Sequence, residues 1–554
     1  MTEKKSNGVF VQAGILAAAS MIVRIIGLLY RAPLTAIIGD EGNGYYGLAY
    51  NIYTIILMVS SYSVPSAISK LMAQKLATGQ YKSAQRVFHC ALMYGAAVGV
   101  IASCILFFGA EHLVPPVAAG VLRVFAPTVF LFGILGALRG YFQATGSMVQ
   151  TSISQILEQI ANAFVSIGAA ALLMRLAVNA DSTTKAQRGA MGSALGTGSG
   201  VLIALVFMSV CYFLYSRKNS HLWKSGAGNG GAALESYASV MKETILVITP
   251  FLLSGSILNL TTSVNQTIYT RIMIGIRGME EIFTTTQYGV FSNKAVVISN
   301  IPISIATAVA AAIIPGISAA FAKKDLEDTR RRASNAIRIT LIIAIPSAIG
   351  LTALARPITL LMFPQMATLD LASGLLAALS VTVIFYSTST ITNAVLQSIG
   401  RMQLPLVSAG IALVIQTIVL QLVLRYSGMG VYSLVFVSIL YSVLIFIMNE
   451  FFLNRYLSLK TDVTRTYVKP ILCALIMGAA TRLIYELLLK IMMSITGGRY
   501  YFSSLIALIP SLLTAVAVYF YALIRSGAMR TEDIESLPKG TAIARILRKL
   551  HWIV

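Results

Sequence analysis

The sequence predicts an all-α polytopic membrane protein with about fourteen transmembrane helices, and three observations predict this class. The 554 residues are 57% hydrophobic and only 11% charged, whereas soluble domains carry about 25% charged residues. The apolar residues form runs of about 20 or more, which is the length that crosses a bilayer as a helix. The connections between these runs alternate between strongly basic and weakly acidic segments, as the loops of a multi-span protein do.

The predicted spans fill most of the chain and leave short connections between them. Some are longer than a bilayer is thick and are expected to tilt, kink or extend beyond it. Their approximate bounds are 8–38, 45–74, 87–110, 118–142, 150–175, 190–215, 242–272, 285–321, 335–355, 371–398, 404–426, 430–454, 467–494 and 501–525.

The first predicted span carries two arginines, Arg24 and Arg31, within an apolar run. At about 100° per residue their seven-residue separation is two helical turns, so both lie on nearly the same face. An arginine at mid-membrane depth costs between about 2.5 and 17 kcal/mol, depending on the reference state. One interpretation pairs Arg24 with a buried carboxylate and lets Arg31 reach the interface. The other has both arginines lining a water-filled cavity for an anionic substrate. Pro33 is predicted to bend this helix.

The net charge of +22 follows from membrane topology and does not require nucleic acid as a partner. Lys and Arg concentrate in the connections 75–86, 217–224, 323–332 and 455–469 and near both termini. The positive-inside rule then places both termini in the cytoplasm. Anionic membrane lipids are expected partners of this side, above all for the basic amphipathic segment 541–554. Docking of a soluble partner is the alternative role for that segment.

A short motif occurs at 143–148 (QATGSM) and again 254 positions later at 397–402 (QSIGRM). Each copy lies between two long apolar runs, and an even number of predicted spans separates the copies. The repeat predicts two pseudo-symmetric six-helix lobes plus two extra C-terminal helices. The predicted segments are an N-lobe (1–215, spans 1–6), a cytoplasmic linker (216–241), a C-lobe (242–455, spans 7–12), spans 13–14 (456–525) and a cytoplasmic basic amphipathic tail (526–554).

Several polar and charged side chains fall inside predicted spans, where lipid cannot satisfy them. The candidate substrate-binding residues are Arg24, Arg31, Arg271, Lys294, Asn259, Gln266 and Asn162. Hydrogen bonds between helices explain Asn259 and Gln266 equally well. Glu158 is predicted either to neutralise one arginine, which is the favoured role, or to bind a coupling proton or cation. The four basic candidates against Glu158 leave a formal surplus of three positive charges. Such a surplus favours a pyrophosphate or another dianion over a cationic drug.

The sequence contains no GxxxxGK[ST] loop, which argues against an ATP-driven pump in this chain. Its histidines and cysteines have neither metal-ligand spacing nor the pattern of a nucleophile with its base. The prediction is therefore a transporter and not an enzyme, with no catalytic residue, no metal and no cofactor. Coupling to the membrane potential, to H⁺ or to Na⁺ is left open.

Four segments resemble a known family. The stretch 24–31 (RIIGLLYR), followed by 38–46 (IGDEGNGYY), resembles the opening of polysaccharide-exporter-type proteins. The stretch 64–70 (VPSAISK) resembles their second span, and 300–318, with its NIP and IPGIS segments, resembles their eighth. The resemblance is to the MOP (MATE/polysaccharide-exporter) superfamily, and within it to SpoVB-like and MurJ-like lipid-linked oligosaccharide flippases.

This resemblance implies that the chain flips an undecaprenyl-pyrophosphate-linked saccharide from the inner to the outer leaflet. The cargo would be lipid II or a related cell-wall or polysaccharide precursor, and cell-wall synthesis enzymes would be partners. The expected mechanism is alternating access, in which two lobes rock around a cationic central cavity. The alternative is a MATE-like cation-coupled multidrug antiporter that uses Glu158 for the coupling ion. A third hypothesis, a non-transporting scaffold for cell-wall or spore-coat enzymes, has no need for deep arginines.

Overall fold

The structure is a computed structural model that describes residues 29–58, 60, 64–218, 236–322, 324–459 and 462–528, together with 19, 22, 23, 26 and 27. Within these residues the chain forms helices joined by turns and contains no β-strand. The predicted all-α class is therefore confirmed. The predicted site residue Arg24, most of the predicted linker and the amphipathic segment 541–554 lie outside the described residues.

The chain divides into two compact units, Met1–Gly289 and Val290–Val554. In the first unit Pro116–Ala144 packs against Tyr81–Phe108 and Ser182–Lys218, and Val149–Leu176 packs along Ser182–Lys218. The helices described there are α1 (Arg31–Leu57), α2 (Val64–Ala77), α3 (Tyr81–Phe108), α4 (Ala110–Leu113), α5 (Pro116–Ala144), α6 (Val149–Leu176), α7 (Ser182–Lys218), α8 (Tyr237–Gly275) and α9 (Glu281–Val290).

The second unit begins with a π-helical turn, Phe291–Ala295, and contains two short helical turns between longer helices. The last two helices, Lys469–Ile495 and Tyr500–Arg525, correspond to the last two predicted spans and pack against each other. The elements described there are α10 (Val296–Ala322), α11 (Leu326–Ala353), α12 (Ala355–Met362), the 3₁₀ turn Met366–Thr368, α13 (Leu369–Leu379), α14 (Thr382–Ser398), α15 (Gln403–Tyr426), α16 (Tyr432–Leu457), the π-helical turn Thr464–Val468, α17 (Lys469–Ile495) and α18 (Tyr500–Arg525).

Ten helices among the described residues are long and apolar enough to cross a membrane. An eleventh span results if Met366–Leu379 and Thr382–Ser398, which are bent by 45° relative to each other, are counted as one broken span. A polytopic membrane protein is therefore confirmed, but the count of fourteen spans is not. Part of the difference arises because most of the first predicted span lies outside the described residues.

Within α1 the backbone leaves the helical conformation at Gly39. Gly39 has φ 70° and ψ 179°, a backbone conformation that a side chain would strain and that glycine adopts freely. Pro33 lies near the start of α1, but described residues before it are helical too, and the Tyr30 N–H donates to Ile26 O at 3.1 Å. The bend predicted at Pro33 therefore stays a prediction, while Gly39 interrupts the helical backbone of α1.

Each unit has an apolar core of its own. In the first unit Ile68 of α2, Phe88 of α3 and Leu138 of α5 pack together with 4% or less of their surface exposed. In the second unit Leu341 of α11 and Leu453 of α16 are fully buried in a corresponding cluster. Many large apolar side chains on the other helix faces stay exposed, as expected for helices whose solvent is lipid.

The repeated QxxGxM motif has the same backbone geometry in both copies. Gly146 follows α5 with φ +81°, and Gly400 follows α14 with φ +79°. The N–H of Gly146 donates to Gln143 O at 3.1 Å, and that of Gly400 donates to Gln397 O at 3.0 Å. A left-handed glycine at this position is a common helix stop, because it lacks the Cβ that would clash. The two copies are therefore equivalent helix ends, while the lobe boundaries at 215 and 242 stay a prediction.

Candidate functional site

Arg31 lies among tyrosine hydroxyls in the first unit. Its guanidinium lies within electrostatic range of the hydroxyls of Tyr30, Tyr46 and Tyr50. The rings of Tyr46 and Tyr50 stack with centroids 5.5 Å apart. Asn162 on α6 donates through Nδ2 to the Tyr30 hydroxyl at 3.4 Å. The structure thus brings two predicted site residues, Arg31 and Asn162, to either side of Tyr30.

Close packing between α6 and α7 fixes the position of Asn162. A Cβ built on Gly196 would lie 2.5 Å from Ser166 N, and one built on Gly200 would lie 2.5 Å from Glu158 O. Gly192, Gly196 and Gly200 recur at four-residue spacing, which predicts a close helix contact, and these distances confirm it because only glycine allows such an approach. Asn162 is also oriented within α6, because its Oδ1 accepts a hydrogen bond from the Ser166 hydroxyl at 2.9 Å.

Glu158 is paired with Arg139, which the sequence analysis missed. Arg139 Nη2 donates to Glu158 Oε2 at 2.7 Å, and Arg139 Nε donates to the Ser154 hydroxyl at 2.9 Å. The Arg139 side chain is 7% exposed and that of Glu158 is 24% exposed. Glu158 therefore has the arginine partner expected of a charge-balancing acid, although the partner comes from α5 and not from the first span.

The internal repeat was the signal that could have identified Arg139. Arg139 lies four residues before Gln143, and Asn393 lies four residues before Gln397 in the second copy. Both positions are polar within apolar helices and both face a neighbouring helix, because Asn393 Oδ1 accepts from Asn449 Nδ2 at 2.7 Å. Aligning the two copies would have marked this position as a polar contact point.

Gln266 serves as a hydrogen-bonded link between helices. Its Oε1 accepts a hydrogen bond from Asn51 Nδ2, and its Nε2 donates to Leu48 O at 3.1 Å. Asn51 Nδ2 also lies 2.9 Å from the hydroxyl of Tyr288 on α9. With 3% of its surface exposed, Gln266 fits the role of a hydrogen-bonded link between helices better than that of a residue lining a substrate cavity.

Three further predicted residues of the first unit differ in what the structure describes of them. Arg271 lies on the same helix as Gln266 but is exposed. Asn259 lies within α8, but its side chain is outside the described part of the structure, as Arg24 is altogether. Of the candidates on α8, Gln266 is therefore buried and Arg271 is exposed.

Lys294 belongs to the second unit, in the π-helical turn Phe291–Ala295. It is 1% exposed, and its Nζ donates to the hydroxyl of Thr368 at 2.9 Å. The same ammonium lies 5.8 Å from the centre of the Phe363 ring, which is within the range of a cation–π interaction. Lys294 is therefore deeply buried, as its position within an apolar span predicted.

A surface cavity of about 500 Å³ lies elsewhere in the first unit and contains none of the predicted site residues. It is lined by α4, the first turns of α5 and Gln187 of α7, and it includes the ion pair of Arg123 and Glu111 at 2.6 Å.

The arrangement around Arg31 suits binding and not bond chemistry. Arg31 offers guanidinium donors, the tyrosine hydroxyls both donate and accept, and Asn162 adds an amide. Such a set recognises a ligand that carries anionic oxygens and hydroxyl groups. Within the described residues no group of three or more His, Cys, Asp or Glu side chains could hold a metal ion.

Comparison with known families decides the class. A family model described as polysaccharide biosynthesis protein matches residues 11–321, which is more than half of the chain. The chain belongs to this family. A second model, MatE, matches residues 293–423 of this polysaccharide biosynthesis protein.

Relatives of this family member from Bacillus subtilis (strain 168) agree with that assignment. The lipid II flippase MurJ is 23% identical over 435 residues, covering 76% of this chain and 77% of MurJ. The uncharacterized membrane protein YabM is 22% identical over 98% of both chains. Stage V sporulation protein B is 26% identical over 59% of this chain and 61% of its own length.

Solved structures share the fold of the polysaccharide biosynthesis protein. MurJ in an inward closed conformation has a TM-score of 0.64 at 15% identity, covering 92% of this chain and 97% of MurJ. An inward-facing MATE family transporter of the MOP superfamily has a TM-score of 0.62 at 15% identity, covering 80% of this chain and 98% of the transporter. This family member is thus a MOP-superfamily flippase or transporter and not an enzyme, as the sequence predicted.

Proposed function

We propose that this protein moves an undecaprenyl-pyrophosphate-linked saccharide, such as lipid II, from the inner to the outer leaflet of the bacterial plasma membrane. Transport proceeds by alternating access, and both termini lie in the cytoplasm. Its relative MurJ carries the name lipid II flippase, which supports this class of cargo. The candidate binding residues are those predicted from sequence, with Arg31 and Asn162 the best supported by contacts.

The observation that carries the proposal is that Glu158 is engaged by Arg139 and not by Arg31. Arg139 was not among the basic residues counted against Glu158 in the sequence. Because Arg139 pairs with Glu158, this carboxylate does not cancel the positive charge of Arg31. A guanidinium among tyrosine hydroxyls in a membrane protein favours an anionic ligand. A pyrophosphate supplies the anionic oxygens, and the attached saccharide supplies hydroxyl groups for amides such as Asn162.

The driving force in this proposal is the membrane potential. Moving one elementary charge through the membrane field is worth about 2.3 kcal/mol per 100 mV. A membrane that is positive outside therefore pulls a dianionic headgroup outward without an ATP site. Several partly hydrated donors release such a cargo more readily than one dry ion pair does, because breaking a desolvated pair is costly.

The test is translocation of lipid II in proteoliposomes with an imposed potential. The wild-type protein should move lipid II faster with the receiving side positive. Arg24→Ala and Arg31→Ala should each slow translocation by about tenfold, because each removes charge-assisted hydrogen bonds to the headgroup.

Arg331→Ala is the matched control, since Arg331 is a surface arginine whose side chain is 73% exposed and pairs with Asp328 at 2.6 Å. It should leave the rate unchanged. Equal rates in the wild type and in the Arg24 and Arg31 variants would assign those arginines a structural role and refute the mechanism. Replacing lipid II by other lipid-linked oligosaccharides identifies the preferred saccharide.

The MatE match over residues 293–423 favours one second candidate, a cation-coupled multidrug antiporter. In that case expression should raise resistance to several cationic dyes, and Glu158→Gln should abolish the resistance. The pairing of Glu158 with Arg139 at 2.7 Å favours the flippase, because the guanidinium already occupies the carboxylate that a cation-coupled antiporter would use.

A further inference from the structure

The loop that covers Lys294 contains a buried amide with no hydrogen-bond partner. Both polar atoms of the Gln365 side chain, Oε1 and Nε2, are shielded from solvent and bond to nothing in the described structure. Buried amides are nearly always satisfied, because leaving a polar group unpaired costs about 1–3 kcal/mol. Because neither Oε1 nor Nε2 of Gln365 is satisfied, a hydrogen-bonding partner is expected at this position.

Gln365 lies between two residues that contact the Lys294 ammonium. Phe363, two residues before it, faces Nζ at 5.8 Å, and Thr368, three residues after it, accepts from Nζ at 2.9 Å. Two residues of extended chain span at most about 7 Å, so the backbone of Gln365 stays close to both contacts. An exposed ion pair between Arg356 and Asp370 at 2.7 Å joins the helices on either side of this loop.

The backbone on the facing side is also unusual. Lys294 lies in a π-helical turn between α9 and α10. Such turns are rare and appear frequently at functional sites. The turn buries a lysine almost completely, at 1% exposure, beneath the loop that carries Gln365.

The hydrogen-bonding groups define the ligand. The Lys294 ammonium and Gln365 Nε2 donate, which suits an anionic oxygen. Gln365 Oε1 accepts, which suits a hydroxyl group of the same ligand. We propose that Lys294, Gln365 and Thr368 form a binding site in the second unit for a glycosyl phosphate, in which Gln365 bridges a sugar hydroxyl and a phosphate oxygen. The inference rests on the proposed function, because the cargo there carries this group.

The test measures binding to the full-length protein with a soluble probe. N-acetylglucosamine 1-phosphate is titrated against thermal unfolding, beside N-acetylglucosamine and inorganic phosphate as separate probes. The wild type should be stabilised most by the intact sugar phosphate. Gln365→Met and Lys294→Met should each weaken its binding by about tenfold, equivalent to about 1.4 kcal/mol.

Gln365→Met separates loss of binding from loss of stability, because it replaces an unpaired amide by an apolar side chain of similar length. Its unfolding temperature without ligand should be equal to or above that of the wild type. Gln187→Met is the matched control, because Gln187 Nε2 already donates to Val117 O at 3.0 Å in the first unit. That variant should bind the probe as the wild type does.

Unchanged probe binding by Gln365→Met, or equal binding of phosphate and sugar phosphate, would overturn the inference and leave a buried water as the partner of the amide. Translocation separates this failure from that of the proposed function. If the wild type flips lipid II while Gln365→Met does so at the same rate and apparent affinity, only the inference fails. If the wild type does not flip lipid II, the proposed function fails, and the probe titration still decides the site.

Discussion

Arg139 of α5 and Glu158 of α6 form an ion pair at 2.7 Å inside the first unit. The same guanidinium donates to the Ser154 hydroxyl one turn earlier on α6. The pair therefore joins α5 to the helix that carries Asn162, and it engages the acid that was predicted to neutralise one arginine of the predicted spans.

The first prediction follows from this pair. Arg139→Met and Glu158→Gln should each lower the free energy of unfolding by roughly 3 kcal/mol, because each leaves a largely buried partner uncompensated. The double variant Arg139→Met with Glu158→Gln should lose less than the sum of the single variants by about 1 kcal/mol or more. Denaturant unfolding in detergent measures the cycle, and strictly additive losses would contradict a coupled pair.

The second prediction concerns the contact between Tyr30 and Arg31. Arg31→Lys should impair lipid II translocation less than Arg31→Ala does, because it keeps the charge and loses only the two-pronged guanidinium contact. Tyr30→Phe should slow translocation by a few fold, because it removes the hydroxyl that lies between Arg31 and Asn162. Initial rates in proteoliposomes measure both effects. A Lys variant as slow as the Ala variant would show that the charge alone does not suffice.

The third prediction uses two glycines of the same unit. Gly196→Ala should destabilise the protein by about 1–3 kcal/mol, since its Cβ would lie 2.5 Å from Ser166 N. Gly168→Ala on α6 meets no atom within 4 Å and should be neutral or stabilising by up to about 1 kcal/mol. Thermal unfolding compares the two. Equal stability would mean that α6 and α7 pack less closely than the structure has them.

The fourth prediction tests orientation. On a background in which Cys90, Cys104, Cys211 and Cys473 are replaced, a cysteine at Glu280 should react with an impermeant thiol reagent in intact cells. A cysteine at Arg331 should react only after permeabilisation, because the basic loops are predicted to be cytoplasmic. Both positions are exposed. Labelling of position 331 in intact cells would refute cytoplasmic termini.

The fifth prediction is a pH dependence at the start of α7. The hydroxyl and then the backbone N–H of Thr184 hydrogen-bond to Asp181 and hold the pKa of this carboxyl below its ordinary value of 3.8. The charged form therefore stabilises the folded state above the unfolded pKa, and this contribution is lost as the pH falls through the lower folded pKa. Asp181→Asn should unfold at a lower temperature than the wild type at neutral pH. The difference should shrink as the pH falls below 3.8, and a difference that stays constant would exclude the charge as its cause.

Composition and spacing alone determined the class, the helical content and the packing role of the glycine stripe. They could do so because a bilayer permits few solutions: long apolar runs must be helices, and glycines four residues apart must meet a neighbour closely. The same logic predicted that Lys294 would be buried and that the QxxGxM motif would recur in equivalent surroundings. These properties depend on local sequence and on the solvent, and hardly on which helices are neighbours.

The tertiary structure decided the partners. Arg139 and Glu158 are 19 residues apart, and no local pattern indicates that this arginine, rather than Arg24 or Arg31, takes the acid. The helical backbone of α1 is likewise interrupted at Gly39, whose backbone angles become apparent only when the chain is folded. Gln365 stands out only because the fold buries its amide. Pairing within a membrane is set by which helix faces meet, and that is a property of the packed bundle and not of any one segment.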